Sequence, residues 1–173
     1  EIEASLDLLI PDAIEGFSSG ASATPKLALL SWNQVVLYPA GVKGNAITYE
    51  SELKLPPGWS IGTALPVKSS LPSGVVFEPV SLSTLVDSPV LAGEFLRTVV
   101  LDDRPGRQVV LDMAADAVAD LAIPAELLDG YKRLVKEADA LFGARHFGGY
   151  HFLLTLSDRV AHFGLEHHQS SDD

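Results

Sequence analysis

The chain has 173 residues, of which 47% are hydrophobic, so it is long enough for one large domain or two small ones with a buried core. Its 23 acidic and 12 basic residues give a formal charge of -11, and such a surface repels phosphate backbones, which argues against nucleic acid as a partner. No run approaches the roughly 20 apolar residues of a bilayer-spanning helix, and the given sequence does not open on a charged segment followed by an apolar one. We therefore expect a soluble protein without membrane insertion, and the sequence leaves its compartment, cytoplasm or periplasm, open.

Two further features of the composition concern chemistry and origin. The chain lacks cysteine, which excludes disulfides and thiolate chemistry. It begins at Glu1, and its one methionine is Met113. This suggests a processed product or an excised piece of a longer protein.

Residues 1 to about 104 are predicted to be β structure, because short apolar or alternating runs are separated by Pro, Gly and Ser. The clearest run is Ile47 to Leu55, in which apolar and polar residues alternate with the period of a half-exposed strand. Pro56-Pro57-Gly58 ends it in a turn. The other predicted strands are Lys26 to Leu30, Val35 to Tyr38, Val75 to Val80 and Glu94 to Leu101. Several short strands on this spacing favour a β-sandwich.

The composition changes after the turn-rich segment Asp102 to Gly106, which is the predicted domain boundary. Beyond it the sequence predicts a strand at Gln108 to Met113 and a short helix at Ala114 to Leu121. An apolar stripe with steps of three and four residues predicts a helix from Ala125 to Phe142 that buries this stripe. Gly143 is a suitable stop for that helix, and Tyr150 to Leu156 is predicted to be a strand within a covered sheet.

Several motifs, taken in order, resemble the glycyl-aminopeptidase-type gluzincin metallopeptidases (peptidase family M sixty-one). The resemblance covers most of the chain from about Trp32 onward. The matching runs are Leu53-Lys-Leu-Pro-Pro-Gly-Trp-Ser-Ile-Gly-Thr-Ala-Leu-Pro66, Asp87-Ser-Pro-Val-Leu-Ala-Gly93, Ala140-Leu-Phe-Gly143, Tyr150-His-Phe-Leu-Leu-Thr-Leu-Ser-Asp158 and Gly164-Leu-Glu-His167.

The resemblance implies a two-part organisation. Residues 1–104 are expected to be part of an N-terminal β-sandwich domain, and residues 105–173 to be the opening α+β portion of a thermolysin-like catalytic domain. In the family a PDZ-type domain often follows. The full-length parent is then a bacterial zinc metallo-aminopeptidase that removes small residues such as Gly or Ala from peptide N-termini.

The zinc motif H-E-x-x-H of such an enzyme does not occur in this sequence. No H-x-x-x-H pair exists among His146, His151, His162, His167 and His168, whereas a catalytic zinc of this class needs two histidines from one helix face and a general-base glutamate. The zinc ligands are therefore expected beyond residue 173. We predict no catalytic residues, no bound metal and no activity for this fragment alone.

The resemblance implies that Gly164, Leu165, Glu166 and His167 bind the substrate, a peptide with a free N-terminus. Main-chain groups of an edge strand would bind the peptide as an extra strand, and the Glu166 carboxylate would receive its α-ammonium group. Gly164 would allow close approach of the peptide because it has no Cβ. The family usually has a second glycine where this chain has Phe163, which puts the shape of the subsites in doubt.

Alternative interpretations remain open at this point. Glu166 could be a solvated acidic residue, and His162, His167 and His168 could suggest a metal site, although they lack a helical i, i+4 pair. Asp87-Ser88-Pro89 is better interpreted as a turn in which Asp87 caps local amides than as a nucleophile site. The whole chain could instead be a non-catalytic β-sandwich binding module or an inactive homologue. If the chain stops within the catalytic domain, apolar surface on the 127–142 helix and around Leu153 and Leu154 is expected to lose its cover, which predicts a homodimer or strand exchange at that end.

Overall fold

The structure is a computed structural model that describes residues 3–10, 22–161 and 164–173. The part before Glu94 consists of short strands, 3-10 turns and one short helix. Its elements are β1 (Leu27–Leu30), β2 (Thr48–Tyr49), β3 (Glu52–Lys54), β4 (Ser60–Gly62), β5 (Val67–Leu71), β6 (Gly74–Phe77), β7 (Val80–Ser81), α1 (Leu82–Val86) and β8 (Val90–Gly93), with 3-10 turns at Trp32–Gln34 and Gly44–Ala46.

The part after Glu94 has longer strands and one long helix. Its elements are β9 (Phe95–Asp102), β10 (Val109–Ala115), a 3-10 turn at Val118–Leu121, α2 (Ala125–Phe142), β11 (Tyr150–Leu156), β12 (Leu165–Glu166) and β13 (Ser170–Asp172). The prediction of a mainly β chain with an α/β C-terminal part is confirmed.

Two three-stranded sheets enclose the core of the first part. One has the order β1-β8-β4, which we call the cover sheet, and the other has the order β3-β6-β5; β2 and β7 form a separate pair. The core between them contains Trp32, Leu65, Phe77 and Leu85, and the Trp32 and Phe77 rings meet edge to face at 5.9 Å. Burial of these aromatic and aliphatic side chains supplies the main driving force for this layer.

The strand predicted at Ile47 to Leu55 is two strands with different partners. β2 pairs with β7, whereas β3 pairs with β6. The predicted alternation is nevertheless correct, because Tyr49 and Leu53 are half-buried while Glu52 is exposed. The turn after this run is also confirmed, since Gly58 has a φ of 82°.

Two predicted elements are wrong. Val35 to Tyr38 is not a strand: the chain makes a 3-10 turn at Trp32–Gln34, which buries Trp32, and then continues without regular structure. Ala114 to Leu121 is not a helix, because Ala114 and Ala115 complete β10 and only the 3-10 turn at Val118–Leu121 follows. In both cases burial of nearby side chains decides the local conformation over intrinsic propensity.

A five-stranded sheet, which we call the main sheet, organises the second part. Its order is β12-β13-β11-β10-β9, with β10 parallel to β11 and β11 parallel to β13. The predicted boundary at residue 104 lies in the hairpin between β9 and β10, which pair antiparallel. The division of the chain into 1–104 and 105–173 stays a prediction.

Helix α2 has the predicted bounds and packs on one face of the main sheet. Gly143 ends it with a φ of 68°, a left-handed conformation that glycine adopts without steric cost. The predicted buried stripe is only partly correct: Val135 is buried and Leu128 and Tyr131 pack against the core, whereas Leu141 is 77% exposed and Phe142 is 73% exposed. Periodicity identifies the apolar face of a helix but not how much of that face is covered.

The other face of the main sheet packs against the cover sheet. Leu27 and Leu91 of the cover sheet form one core with Ala114 and Leu153. Asp112 also lies in this interface and is 2% exposed. Gly62 in β4 gives it room, because a Cβ on Gly62 would lie 2.5 Å from the Asp112 Cγ.

Arg145 connects the end of α2 to the β9–β10 hairpin. Its guanidinium donates to both carboxylate oxygens of Asp139, to Asp102 and to the carbonyl of Arg107, at 2.6 to 2.7 Å. The Arg145 hydrogen bonds hold the pKa of Asp139 below its usual value. This buried cation is therefore fully paired, as burial of a charge requires.

Gly62→Ala should destabilise the chain by roughly 1–3 kcal/mol, because the new methyl group overlaps the buried Asp112 side chain. Urea titrations followed by circular dichroism measure this difference. The matched control is Gly130→Ala inside α2, where the nearest atom to the new methyl is 3.9 Å away. There alanine should stabilise by about 1 kcal/mol through helix propensity. Equal stability of the Gly62 variant and the wild type would contradict the packing described here.

Candidate functional site

The predicted substrate-binding segment lies in a hairpin at one edge of the main sheet. Gly164 is exposed and precedes the hairpin, Leu165 and Glu166 form β12, and His167 begins the turn to β13. The His167 N–H donates to the Ser170 carbonyl at 2.8 Å and so closes the turn. The structure therefore brings the four predicted residues together at a sheet margin.

The hydrogen-bond register directs the main-chain N–H and C=O groups of Glu166 away from the neighbouring strand β13. Bonded and non-bonded pairs alternate along an antiparallel ladder. Because His167 bonds to Ser170, the next pair, Glu166 and Ser171, is non-bonded. The N–H and C=O of Glu166 therefore point outward, and β12 has a partner on one side only in the described part of the chain. An extended peptide can pair with such an edge.

The Glu166 side chain shares a face of the main sheet with α2. Side chains of register partners lie on the same face, and Glu166 follows Ser171, Phe152 and Leu111 across the strands. Burial raises the pKa of Tyr150, and the negative charges of Asp173, Glu166 and Asp172 raise it further.

An apolar cavity of about 280 Å³ lies on this same face, between α2 and the sheet. It is lined in part by Leu134, Phe142, Phe147, Tyr150 and Phe152. Glu166 does not line the cavity. It lies on the same face of the main sheet in β12, two strands beyond β11. The face therefore combines an exposed carboxylate at its edge with an apolar recess further in.

Asp87 holds the hairpin from the other part of the molecule. It follows α1, and its Oδ1 lies 3.2 Å from His167 Nδ1 while its Oδ2 accepts a hydrogen bond from the His168 N–H at 3.0 Å. The sequence predicted that Asp87 caps local amides, and this is wrong. The amide it accepts from is 81 residues away in the sequence, which no local pattern can reveal.

His167 lies between two carboxylates. Its Nε2 is 3.5 Å from Asp172 Oδ2, and Asp172 is 2% exposed. Burial raises the pKa of Asp172 to about 6, although His167 lowers it in part. The 3.5 Å approach is not a hydrogen bond, because His167 Nε2 and both carboxylate oxygens of Asp172 have no hydrogen-bond partner among the described residues. Asp172 is therefore a buried carboxyl group whose oxygens are unsatisfied, which agrees with the raised pKa.

A second histidine–aspartate pair lies on the same face of the sheet as Asp172. His151 Nδ1 is 2.7 Å from Asp112 Oδ2, and Thr98 donates to the other oxygen of Asp112. His151 pairs in register with Ser170. Sequence reasoning missed Asp112, Asp172 and this pairing, although an aspartate within the apolar run of β10 is a recognisable sign of a buried polar group.

The predicted absence of a metal stays a prediction. His162 and Phe163 lie outside the described residues. Among residues 3–10, 22–161 and 164–173, no group of three or more His, Cys, Asp or Glu residues is arranged to hold a metal ion. The described donors thus do not form a zinc site.

Comparison with solved structures identifies the class of the fold. The chain resembles an aminopeptidase N family protein from Idiomarina loihiensis with a TM-score of 0.61 and 23% identity, over 84% of this chain and 24% of that one. An M1 zinc metallopeptidase from Deinococcus radiodurans matches with a TM-score of 0.45 and 14% identity, over 72% of this chain and 29% of that one. No curated protein sequence matches. The likeness to the Idiomarina protein shows that this chain shares the fold of the matched part of that protein.

A family model gives the narrower assignment. The model described as the peptidase M61 N-terminal domain matches residues 4–94, more than half of the chain. The chain belongs to this family, which confirms the resemblance noted from the motifs. It is a metallopeptidase-related domain, and it spans 24% of the length of the Idiomarina protein. No helix in the described ranges is long and apolar enough to cross a membrane.

The pKa of Asp172 predicts how its contribution to stability depends on pH. A carboxyl group whose pKa is raised from 3.8 to about 6 on folding stabilises the fold fully below its unfolded pKa, and this contribution is lost as the pH rises through the folded pKa. Asp172→Asn is uncharged at every pH. It should therefore exceed the wild type in stability at pH 8 by roughly 1–3 kcal/mol and lose that advantage near pH 4.

Urea unfolding of both proteins at several pH values measures this difference. Asp158→Asn, which changes an exposed carboxylate, is the control. It shows how the loss of one surface charge alone changes stability with pH. A stability difference between the Asp172 variant and the wild type that stays constant from pH 4 to pH 8 would contradict the raised pKa.

Proposed function

We propose that this chain supplies the N-terminal β domain and the substrate-binding edge strand of a zinc metallo-aminopeptidase. In this proposal β12 binds the peptide backbone, and Glu166 receives the free α-ammonium group. Gly164, Leu165 and His167 complete the contact. The observation that carries the proposal is that Glu166 occupies an exposed edge strand with its own N–H and C=O directed outward.

The physical basis of selectivity is electrostatic. An ammonium group that pairs with a carboxylate gains a charge-assisted hydrogen bond of about 1.5–3 kcal/mol. A peptide with a blocked N-terminus lacks this charge and leaves Glu166 without its partner. The site therefore favours the end of a peptide chain over its interior, as an aminopeptidase requires.

The preference for Gly or Ala is the finer part of the proposal. It rests on the resemblance of the motif and on family membership. The zinc ion and its ligands are proposed to belong to the full-length parent. A coding sequence that continues into an H-E-x-x-H motif would support a metallopeptidase over a non-catalytic binding module.

The direct test of Glu166 uses the full-length parent. Glu166→Gln should lower kcat/KM for glycyl and alanyl anilides about 10-fold to 100-fold, because one charged hydrogen bond is lost. It should have little effect on the N-acetylated anilides. Glu52→Gln, at an exposed carboxylate of β3, is the matched control and should leave kcat/KM unchanged.

The outcomes of this test separate the two parts of the proposal. A parent without peptidase activity would refute the enzymatic assignment. An active parent whose Glu166 variant keeps wild-type kcat/KM on unblocked substrates would refute the role of Glu166 alone.

We also propose that the isolated chain self-associates through the exposed apolar side of α2. Leu134, Leu141 and Phe142 are each more than half exposed, and contiguous apolar patches of this kind favour association. Replacement of Leu141 and Phe142 by lysine should give a monomer in light scattering. Val118→Lys, at an apolar side chain that is 69% exposed on a 3-10 turn, should not. A wild-type chain that is monomeric at high concentration would refute this proposal.

A further inference from the structure

We infer that Asp87 is a positioning residue for the substrate-binding edge: its carboxylate clamps the β12–β13 turn and thereby sets where Glu166 is presented. This inference rests on the proposed function, because it assigns Asp87 a part in binding at that same site. Asp87 itself lies outside the predicted contact with the peptide and acts through His167 and His168.

The clamp consists of two contacts from one carboxylate to consecutive residues. Oδ1 lies 3.2 Å from the ring Nδ1 of His167, and Oδ2 accepts from the main-chain N–H of His168 at 3.0 Å. A carboxylate bound at both oxygens fixes position and orientation together. The His167 side chain is 11% exposed and the Asp87 side chain is 40% exposed, so the contact is sheltered on the side of the ring and open to water on the side of the carboxylate.

The edge strand needs such an anchor because it is short. β12 has two residues and, in the part of the chain that the structure describes, pairs on one side only. Few main-chain hydrogen bonds therefore hold it, and such strands open readily. Within the same sheet the turn is anchored through Gln169, whose side chain accepts from the Gly148 N–H at 3.1 Å and whose C=O accepts from the His151 N–H at 3.0 Å. Both bonds tie the turn to the start of β11. Asp87 ties it to the first part of the chain.

His167 transmits the effect to Glu166. The two residues are adjacent, and the ring of His167 is held between Asp87 and the buried Asp172. A shift of the His167 backbone rotates the preceding peptide unit, which carries the C=O of Glu166. Loss of the clamp should therefore alter the outward main-chain groups and the direction of the Glu166 carboxylate, and binding geometry is sensitive to displacements of this kind.

A merely structural role for Asp87 makes a different prediction. A structural anchor lowers the folded fraction and reduces the rate on every substrate by the same factor. A positioning residue changes the ratio of kcat/KM between unblocked and N-acetylated peptides, because only unblocked peptides use Glu166. This ratio is the readout that distinguishes the two roles.

The first measurement is amide hydrogen exchange by NMR on this chain. Asp87→Asn keeps the size of the side chain but removes its charge, and it should accelerate exchange at the His168 amide at least about 10-fold, the equivalent of one charged hydrogen bond. Asp103→Asn is the control, since Asp103 accepts only from the Gln108 side chain in the exposed β9–β10 turn. It should leave His168 exchange unchanged. His167→Gln tests the ring contact alone and should have a smaller effect.

The second measurement is the kinetic ratio in the full-length parent. Asp87→Asn should lower the preference for unblocked over acetylated glycyl anilide about 10-fold, the equivalent of one charged hydrogen bond, whereas Asp103→Asn should not change it. Unchanged exchange at His168 in the Asp87 variant would overturn the clamp itself. Faster exchange with an unchanged kinetic ratio would overturn the positioning role.

If the proposed function is wrong, the experiments give a different combination of results. If the Glu166→Gln parent discriminates blocked from unblocked peptides as well as the wild type does, the function of the site is wrong and the positioning role falls with it. In that case the exchange data still report whether the Asp87 contact exists.

Discussion

The buried carboxylate of Asp112 is the constraint on which the arrangement of the two sheets depends. Burial of an ionised group without hydrogen-bond partners costs too much free energy. If one partner is removed, the desolvation cost of the group that stays buried is no longer compensated. Thr98 and His151, from the strands on either side, occupy its two oxygens, so the strand order β9-β10-β11 must be kept. Gly62 gives the carboxylate the space it needs in the facing sheet. This one side chain therefore adds a polar constraint on strand order and sheet stacking to the apolar core that the two sheets share.

The same face of the main sheet continues to the edge hairpin. His151 neighbours Ser170 in register, and Asp172 follows two residues later beside His167. Polar groups thus extend across the interface from its centre to its margin, where Asp87 joins the hairpin to the first part of the chain. The two parts are connected by apolar packing in the middle and by charged hydrogen bonds at the edge. Such an edge can be held firmly while its outer side remains open to a peptide.

The elements that sequence reasoning predicted well are those set by local pattern. The bounds of α2 followed from apolar periodicity and from Gly143, and β11 followed from a continuous apolar run. The two wrong elements, Val35 to Tyr38 and Ala114 to Leu121, are short, and tertiary packing overrides weak propensities in short segments. The short strands β4, β5 and β8 were missed because they are brief and interrupted by polar or glycine residues.

Sequence reasoning predicted only those residues of the candidate site that belong to its motif. Gly164 to His167 were named from the sequence, and the structure places them at a sheet edge. Asp87, Asp112 and His151 could not be combined with them, because their contacts join residues 14 to 81 positions apart. Asp172 is near His167 in the sequence, but its contact depends on the register of the β12–β13 hairpin. The functional assignments of the motif itself remain proposals.

The long separation between Asp87 and its partners has a consequence for biosynthesis. A ribosome adds about 5–20 residues per second, and 80 residues separate Asp87 from His167. The first part of the chain, in which β1 must already pair with β8, is therefore complete several seconds before the hairpin emerges. Folding of the nascent polypeptide can proceed in that order, with the carboxylate of Asp87 hydrated until β12 and β13 are translated.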